Sequence, residues 1–224
     1  MIVTDQKPDR EVLDAVKDYR TVFIIGCGSC ATASRTGGEE ECRAWADKLR
    51  DSGTVAAGYL VPQETCHVLL MKSMIRQSEE ALSSDALLVL ACGAGVQAVS
   101  AAADKPVVAG LNSMFLGTTY RAGEFLRYCS MCGTCVLSRT AGICPVTRCP
   151  KGLLNGPCGG MVGGMCEVDS AMECVWVTIH DRLKARGDQR ELLRMNAPRN
   201  YVSAKHRRVV PANISRKSPS RDVQ

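Results

Sequence analysis

Aromatic side chains are scarce in this chain of 224 residues: three Phe, two Trp and five Tyr make up 4% of it. That scarcity argues against a base-stacking nucleic-acid surface. Histidine is scarcer still, with only His67, His180 and His206, so a histidine-built metal or acid–base centre has little to draw on. No GxGxxG follows the first apolar run and no P-loop occurs, which removes the usual backbone cradles for dinucleotides and triphosphates. No carboxylate pair and no Ser/His/Asp set stands out as catalytic. The opening residues, MIVTDQKPDR, are charged and lack an apolar run, so no secretory leader is expected and the chain is read as cytoplasmic. Charge is missing from Ala86 to Ala103, but Gly93, Gly95, Gln97 and Ser100 interrupt that stretch. It reads as a strand, a turn and an apolar helix, not as a membrane span.

Cysteine is what the chain has in abundance, 13 in all. An odd, dense set in a reducing compartment points to metal ligation more than to disulfides. Charge is uneven along the sequence. The formal net charge is +5, yet from Arg182 to Gln224 twelve Lys or Arg face three Asp or Glu. Such a segment is either a solvated tail or an arm that wraps an acidic partner. No nucleic-acid motif accompanies the charge.

Regular structure is legible in the first half. Residues 10 to 20 read as a short charged helix. Thr21 to Ile25 is a buried strand ending in the turn Gly26-Cys27-Gly28-Ser29-Cys30. A helix is expected from about Gly38 to Ser52, a strand from Val55 to Val61, a helix from Lys72 to Leu82, a strand from Ala86 to Ala91, a helix from Gly95 to Ala103 and a short strand at Val107 to Ala109. This alternation predicts an α/β fold with a small parallel sheet of Rossmann or flavodoxin-like kind, whose ligands bind outside the carboxyl ends of the strands. Periodicity fades after about residue 110, and an irregular cysteine-rich region organised by metal is expected, followed by a helix from Val175 to Arg186. The expected division is an α/β domain over 1–115, a cysteine-rich domain over 116–200 and a basic extended tail over 201–224.

Three cysteine constellations emerge. Cys27 and Cys30, Cys66 and Cys92 each follow a predicted strand, so the fold should bring these four to one edge of the sheet. Four thiolates suit zinc or a cubane cluster. Cys42, inside a predicted helix, is read as structural, and His67 as a bystander. Cys129, Cys132 and Cys135 have the double CxxC spacing that opens a bacterial ferredoxin run, and Cys144-Pro145 and Cys149-Pro150 follow. Cys158, Cys166 and Cys174 form the third group, which either Cys144 or Cys149 could complete. Glycines crowd these ligands, allowing tight turns and close approach of backbone N–H groups to sulfur.

The run ICPVTRCPKGLLNGPCGG ending at Gly160, with Cys166-Glu167-Val168-Asp169 and Cys174-Val175-Trp176, resembles the MetV-type partner subunit of methylenetetrahydrofolate reductase. GCGSCAT, Thr36-Gly37-Gly38-Glu39 and ACGAGVQ at Ala91 to Gln97 fit the same family. The resemblance covers most of residues 20 to 200. It implies a non-catalytic iron–sulfur subunit, with two or three [4Fe–4S] clusters, beside a flavin-containing barrel subunit that interconverts methylene- and methyltetrahydrofolate. It further implies electron exchange with a ferredoxin or an electron-bifurcating complex in the methyl branch of anaerobic one-carbon metabolism. Descriptions of the C-terminal domain that invoke zinc leave zinc an alternative at one site. Two other readings stay open: a zinc-only scaffold subunit, and a thiol–disulfide oxidoreductase using Cys27 and Cys30.

Overall fold

The structure, a computed structural model, describes residues 1–199. The expected basic tail over 201–224 lies outside the described residues. The chain divides into two compact units, the first Met1–Tyr128, the second beginning at Cys129.

The first unit opens with β1 (Ile2–Gln6) and α1 (Asp9–Val16), and then enters the parallel core. β2 (Thr21–Ile25) leads through the one-turn α2 (Cys30–Ala33) to α3 (Glu39–Asp51) and β3 (Val55–Leu60). α4 (Val68–Gln77) and α5 (Glu79–Ser83) carry the chain to β4 (Ala86–Val89), and α6 (Gly93–Ala102) to β5 (Val107–Ala109). The four strands form one sheet in the order β3-β2-β4-β5, every pair parallel. The protein is therefore α/β with a parallel four-stranded sheet. Apart from Thr21, its central strands, TVFII and ALLV, are apolar because both faces are covered; Ile24, Ile25, Leu87, Leu88 and, just past β4, Leu90 have no solvent exposure. Each such side chain contributes about 1.5–3 kcal/mol of burial.

α3 shows how local sequence fixes an element. Glu41 Oε2 accepts the Gly38 N–H at 2.7 Å, acidic residues fill its first turn, and Lys48 and Arg50 sit in its last. Cys42, Trp45 and Leu49 make its buried face. The helix expected over Lys72 to Leu82 is two helices. Ser78 takes an extended conformation between them, and its hydroxyl caps α5 by accepting the Ala81 N–H at 3.1 Å. Ala86 to Ala103 resolves into β4, a turn and α6. Among the described residues no helix is long and apolar enough to cross a membrane.

A second sheet, unforeseen from the sequence, completes this unit. β6 (Leu111–Arg121) and β7 (Glu124–Cys129) form a hairpin, and β1 pairs antiparallel with β6, giving the order β1-β6-β7. The turn is Ala122-Gly123, with Gly123 at φ +81°, a value that favours glycine.

The second unit has little regular structure. Between Cys129 and Cys174 it holds a short 3-10 turn at Leu137–Arg139 and the one-turn α7 (Pro145–Arg148). α8 (Val175–Arg186) follows as expected and ends at Gly187 in the left-handed region. A small core gathers Ile143, Val175, Trp176, Ile179 and Leu183.

Candidate metal centres

In the first sheet the strand order reverses between β2 and β4: the chain leaves β2 for β3 on one side, then crosses back to β4 on the other. The crevice beyond the carboxyl ends of these two strands is the topological switch point, where α/β sheets bind ligands. Cys27 follows β2 there and Cys92 follows β4, as the residue that caps α6. The loop after β3 brings Cys66 to the same place.

Backbone bonds tie the loops together. The Gly26 and Gly28 N–H groups donate to Leu60 O at 2.9 Å and Pro62 O at 2.8 Å, joining the β2 loop to the β3 loop. The Cys27 N–H donates to Gly37 O at 2.8 Å. Gly37 can be nothing larger, because a Cβ there would stand 2.1 Å from the Leu90 carbonyl oxygen. Thr65 sits at the middle with no exposure. Its hydroxyl donates to Gly26 O at 2.6 Å, and a side chain at Gly95 would meet its Cβ at 3.4 Å. One buried threonine thus touches the Cys27 turn and the first turn of α6, and it immediately precedes Cys66.

The thiols respond to this packing. Burial alone would raise Cys27, but backbone N–H groups of Thr65, Ser29 and Ala31 and the Thr65 side chain outweigh it, and the thiol lies below its usual value. Cys66 is pushed up, first by desolvation and then by the charge of Cys92, with a smaller push from Cys27. Cys66 is exposed while Cys27 and Cys92 are buried. Cys30 opens α2, and its sulfur accepts the Ile2 N–H at 3.4 Å. Cys42, in α3, is fully buried with its sulfur against the Cys27 turn, 2.7 Å from where a Cβ on Gly26 would stand, and its thiol is pushed up to about 12 by burial and then by Glu41 and Glu39. His67 Nδ1 accepts the Leu70 N–H at 3.1 Å and so caps α4.

In the second unit, Cys149, Cys158, Cys166 and Cys174 line one small cavity, of about 20 Å³, with Met161 and Trp176 in its wall. Cys149 lines this cavity, whereas Cys144, at the other end of α7, does not. Cys158 Sγ donates to Glu167 Oε2 at 3.2 Å, and Lys151 pairs with the same carboxylate. That carboxyl is held below its ordinary value by Lys151 and then by Cys158. Cys129 ends β7, and Cys132 and Cys135 lie in the loop that follows it. The Met131 N–H donates to Cys129 Sγ at 3.3 Å. Burial would raise Cys132, but the Thr134 backbone and then the positive charge of Arg199 bring it below the usual value. Arg199 Nε and Nη1 are buried without a hydrogen-bond partner.

Residues 108–202 match the methylene-tetrahydrofolate reductase C-terminal family. The matched stretch holds the β6–β7 hairpin and all eight cysteines from Cys129 to Cys174. No curated protein and no solved structure matches the chain.

The donor sets fit thiolate-held metal. They are all-sulfur, come from neighbouring loops at Cys27, Cys66 and Cys92, and are served by N–H groups at Cys27. Among the described residues, no three cysteine, histidine or acidic side chains converge on one point at metal-ligand distance. Thr65, Glu167 and Arg199 were not found from sequence. Thr65 acts across loops through its bond to Gly26 O, and its one mark in the sequence is its place before Cys66.

Proposed function

We propose that this chain is the iron–sulfur electron-transfer subunit of a methylenetetrahydrofolate reductase complex. It would pass electrons between a flavin-bearing catalytic partner and a ferredoxin or larger redox complex. The observation that carries this reading is the meeting of Cys27, Cys66 and Cys92 at the switch point of the sheet, with backbone N–H groups directed at the buried sulfur. The reductase context comes from the family match over residues 108–202.

In this reading Cys27, Cys30, Cys66 and Cys92 hold one group. Cys129, Cys132, Cys135 and Cys144 hold a second, and Cys149, Cys158, Cys166 and Cys174 a third. A [4Fe–4S] group, when bound, takes up and returns single electrons. The chain's residues set its surroundings. Leu90 and Ala91, both buried, keep water from the floor of the first site. The N–H groups around Cys27 favour negative charge on that sulfur. Exposed Cys66 leaves one side of the site open to a partner's redox group. Flavin and folate chemistry belong to the partner subunit, and the isolated chain is expected to reduce no folate.

The third site supports a second reading. A cavity of about 20 Å³ has room for little more than one water-sized sphere. A tetrahedral zinc ion with sulfurs at ~2.3 Å suits it better than a cubane, which would need the loops outside α8 to move apart. The fully zinc-bound, redox-silent scaffold is the extreme of that reading. Anaerobic purification with iron, zinc and sulfide analysis, beside visible and low-temperature EPR spectra, tests both. Roughly eight to twelve irons per chain with matching sulfide, as two or three cubanes require, support the electron carrier. Zinc without iron or sulfide refutes it.

A further inference from the structure

We propose that the second unit holds a preformed site for a small molecule with a flat apolar body and one carboxylate, seated against Trp176 with its carboxylate on Arg139. The site is a cavity of about 390 Å³, lined by α8, the turn from Leu154 to Pro157 and the segment from Glu191 to Asn196. That volume falls within the range of small-molecule pockets, about 300–1,000 Å³. Met161 and Trp176 stand in its wall and also in that of the cysteine-lined cavity; Leu154, Pro157, Leu192 and Met195 add further apolar surface. The wall is fixed before any ligand arrives, because each polar atom of Asn196 is bonded. Its N–H donates to Asn155 Oδ1 at 2.6 Å, its carbonyl accepts from Asn155 Nδ2 at 2.9 Å, its Nδ2 donates to Leu154 O at 2.7 Å, and its Oδ1 accepts from Arg139. A site held in this way loses little freedom on binding.

The bonding of the lining groups selects the ligand's chemistry. Trp176 Nε1 donates to Leu153 O at 3.2 Å, so the indole offers the cavity its ring and no donor. The Thr140 hydroxyl is turned to Val136 O at 3.2 Å and Ile143 O at 2.6 Å, and Asn155 and Asn196 hold each other. His180 pairs with Asp181 at 2.9 Å, and the Glu191 carboxylate lies 3.2 Å from Arg194 Nη1. Arg139 is the exception. It is half-buried, donates to Asn196 Oδ1, and among the described residues pairs with no carboxylate. A guanidinium carries five N–H donors in a planar fork that matches a carboxylate. A ligand polar on every side would find few partners in this wall, and a wholly apolar one would leave the Arg139 charge against hydrocarbon. A flat apolar body with a single anionic end satisfies both. Charge also argues against the chain's own continuation as the occupant, since residues 200–224 carry six Lys or Arg and one Asp.

The test uses the metal-loaded full chain, with 2-naphthoate as the probe and 2-naphthamide, its uncharged analogue, as the control. Calorimetry should show naphthoate binding at a single site, and naphthamide weaker by about tenfold, the size of a charge-assisted hydrogen bond. Added salt should weaken naphthoate and leave naphthamide unchanged, a readout that needs no variant to fold. The chain has two tryptophans, Trp45 and Trp176. In protein labelled with 5-fluorotryptophan, naphthoate should shift the fluorine resonance of Trp176 and not that of Trp45, which is fully buried in the first unit. Arg139→Gln should bring naphthoate down to the affinity of naphthamide, and Arg139→Lys, which keeps the charge, should retain most of the preference. Equal affinity for the two probes, or a preference indifferent to salt, would overturn the role of Arg139. Absence of naphthoate binding up to millimolar concentration, as when another segment or a partner fills the space, or a shift confined to Trp45, would overturn the site itself.

Discussion

Replacing Thr65 by valine isolates one hydroxyl at the meeting point of three ligand loops. Valine keeps the shape, so no cavity opens. The loss is the 2.6 Å bond to Gly26 O, a carbonyl directly before Cys27. Leaving a buried acceptor without its donor costs about 1–3 kcal/mol. Thr65→Ser does the reverse: it keeps the hydroxyl and deletes one methyl, a loss of about 0.8 kcal/mol or slightly more for the space left behind. Both variants should melt lower, by roughly 2–4 °C for each kcal/mol in a chain of this size. Only the valine variant frees the Cys27 turn. Metal transfer to a chelator should therefore speed up about 10- to 100-fold in Thr65→Val, the range for residues that orient ligands without binding metal. In Thr65→Ser it should change little. The assay is chelator-driven release followed optically, with melting curves on the same samples. Equal release rates in the two variants would reduce Thr65 to core packing and remove it from the site.

Alkaline pH should expose Cys42. Its folded value, about 12, lies above the ordinary thiol value of 9.0, so its contribution is fully present below pH 9 and is lost as pH rises towards 12. The loss runs at about 1.4 kcal/mol per pH unit in that window, and urea titrations of Cys42→Ala should show the slope flattened. Lys105 donates to Ala81 O, Leu82 O and Ser84 O at 2.7, 2.9 and 2.6 Å, capping the end of α5 before β4. Lys105→Met should lower stability by about 1.5–3 kcal/mol, measured by denaturant midpoint, since the three bonds share one charge and do not add. Cys149→Ser should release the metal of the cavity beside Trp176, while Cys144→Ser should spare it and empty the site at Cys129 to Cys135. Metal analysis of the two variants checks the partition, and loss of the same metal from both would refute it.

The parallel core could be read from the chain because its central strands are buried on both faces, which writes them as unbroken apolar runs: TVFII and ALLV match β2 and β4 closely. α8 was legible from end to end. The β6–β7 hairpin was not. Only Leu111 and Gly117 of β6 are buried, so the strand shows no alternation that could distinguish it from a loop. β1 is equally short of signal, with Val3 and Thr4 its only buried residues. The cysteines of the first site were placed correctly after their strands, because strand ends follow from apolar runs. The choice between Cys144 and Cys149 was closed to sequence, since both precede proline and flank the same helical turn.

Cys174 lines the cavity of the second unit and is also the residue from which α8 departs. α8 supplies Trp176, Ile179 and Leu183, most of that unit's small core. Under the proposed reading, a bound ion and the unit's longest helix share one residue. Metal supply then acts on the protein's lifetime as well as on its electron transfer. In a cell short of the metal, the first unit would persist on its own apolar sheet, while the second would loosen from Cys174 onward and offer proteases an entry point. The abundance of intact subunit would follow metal availability without any separate sensor.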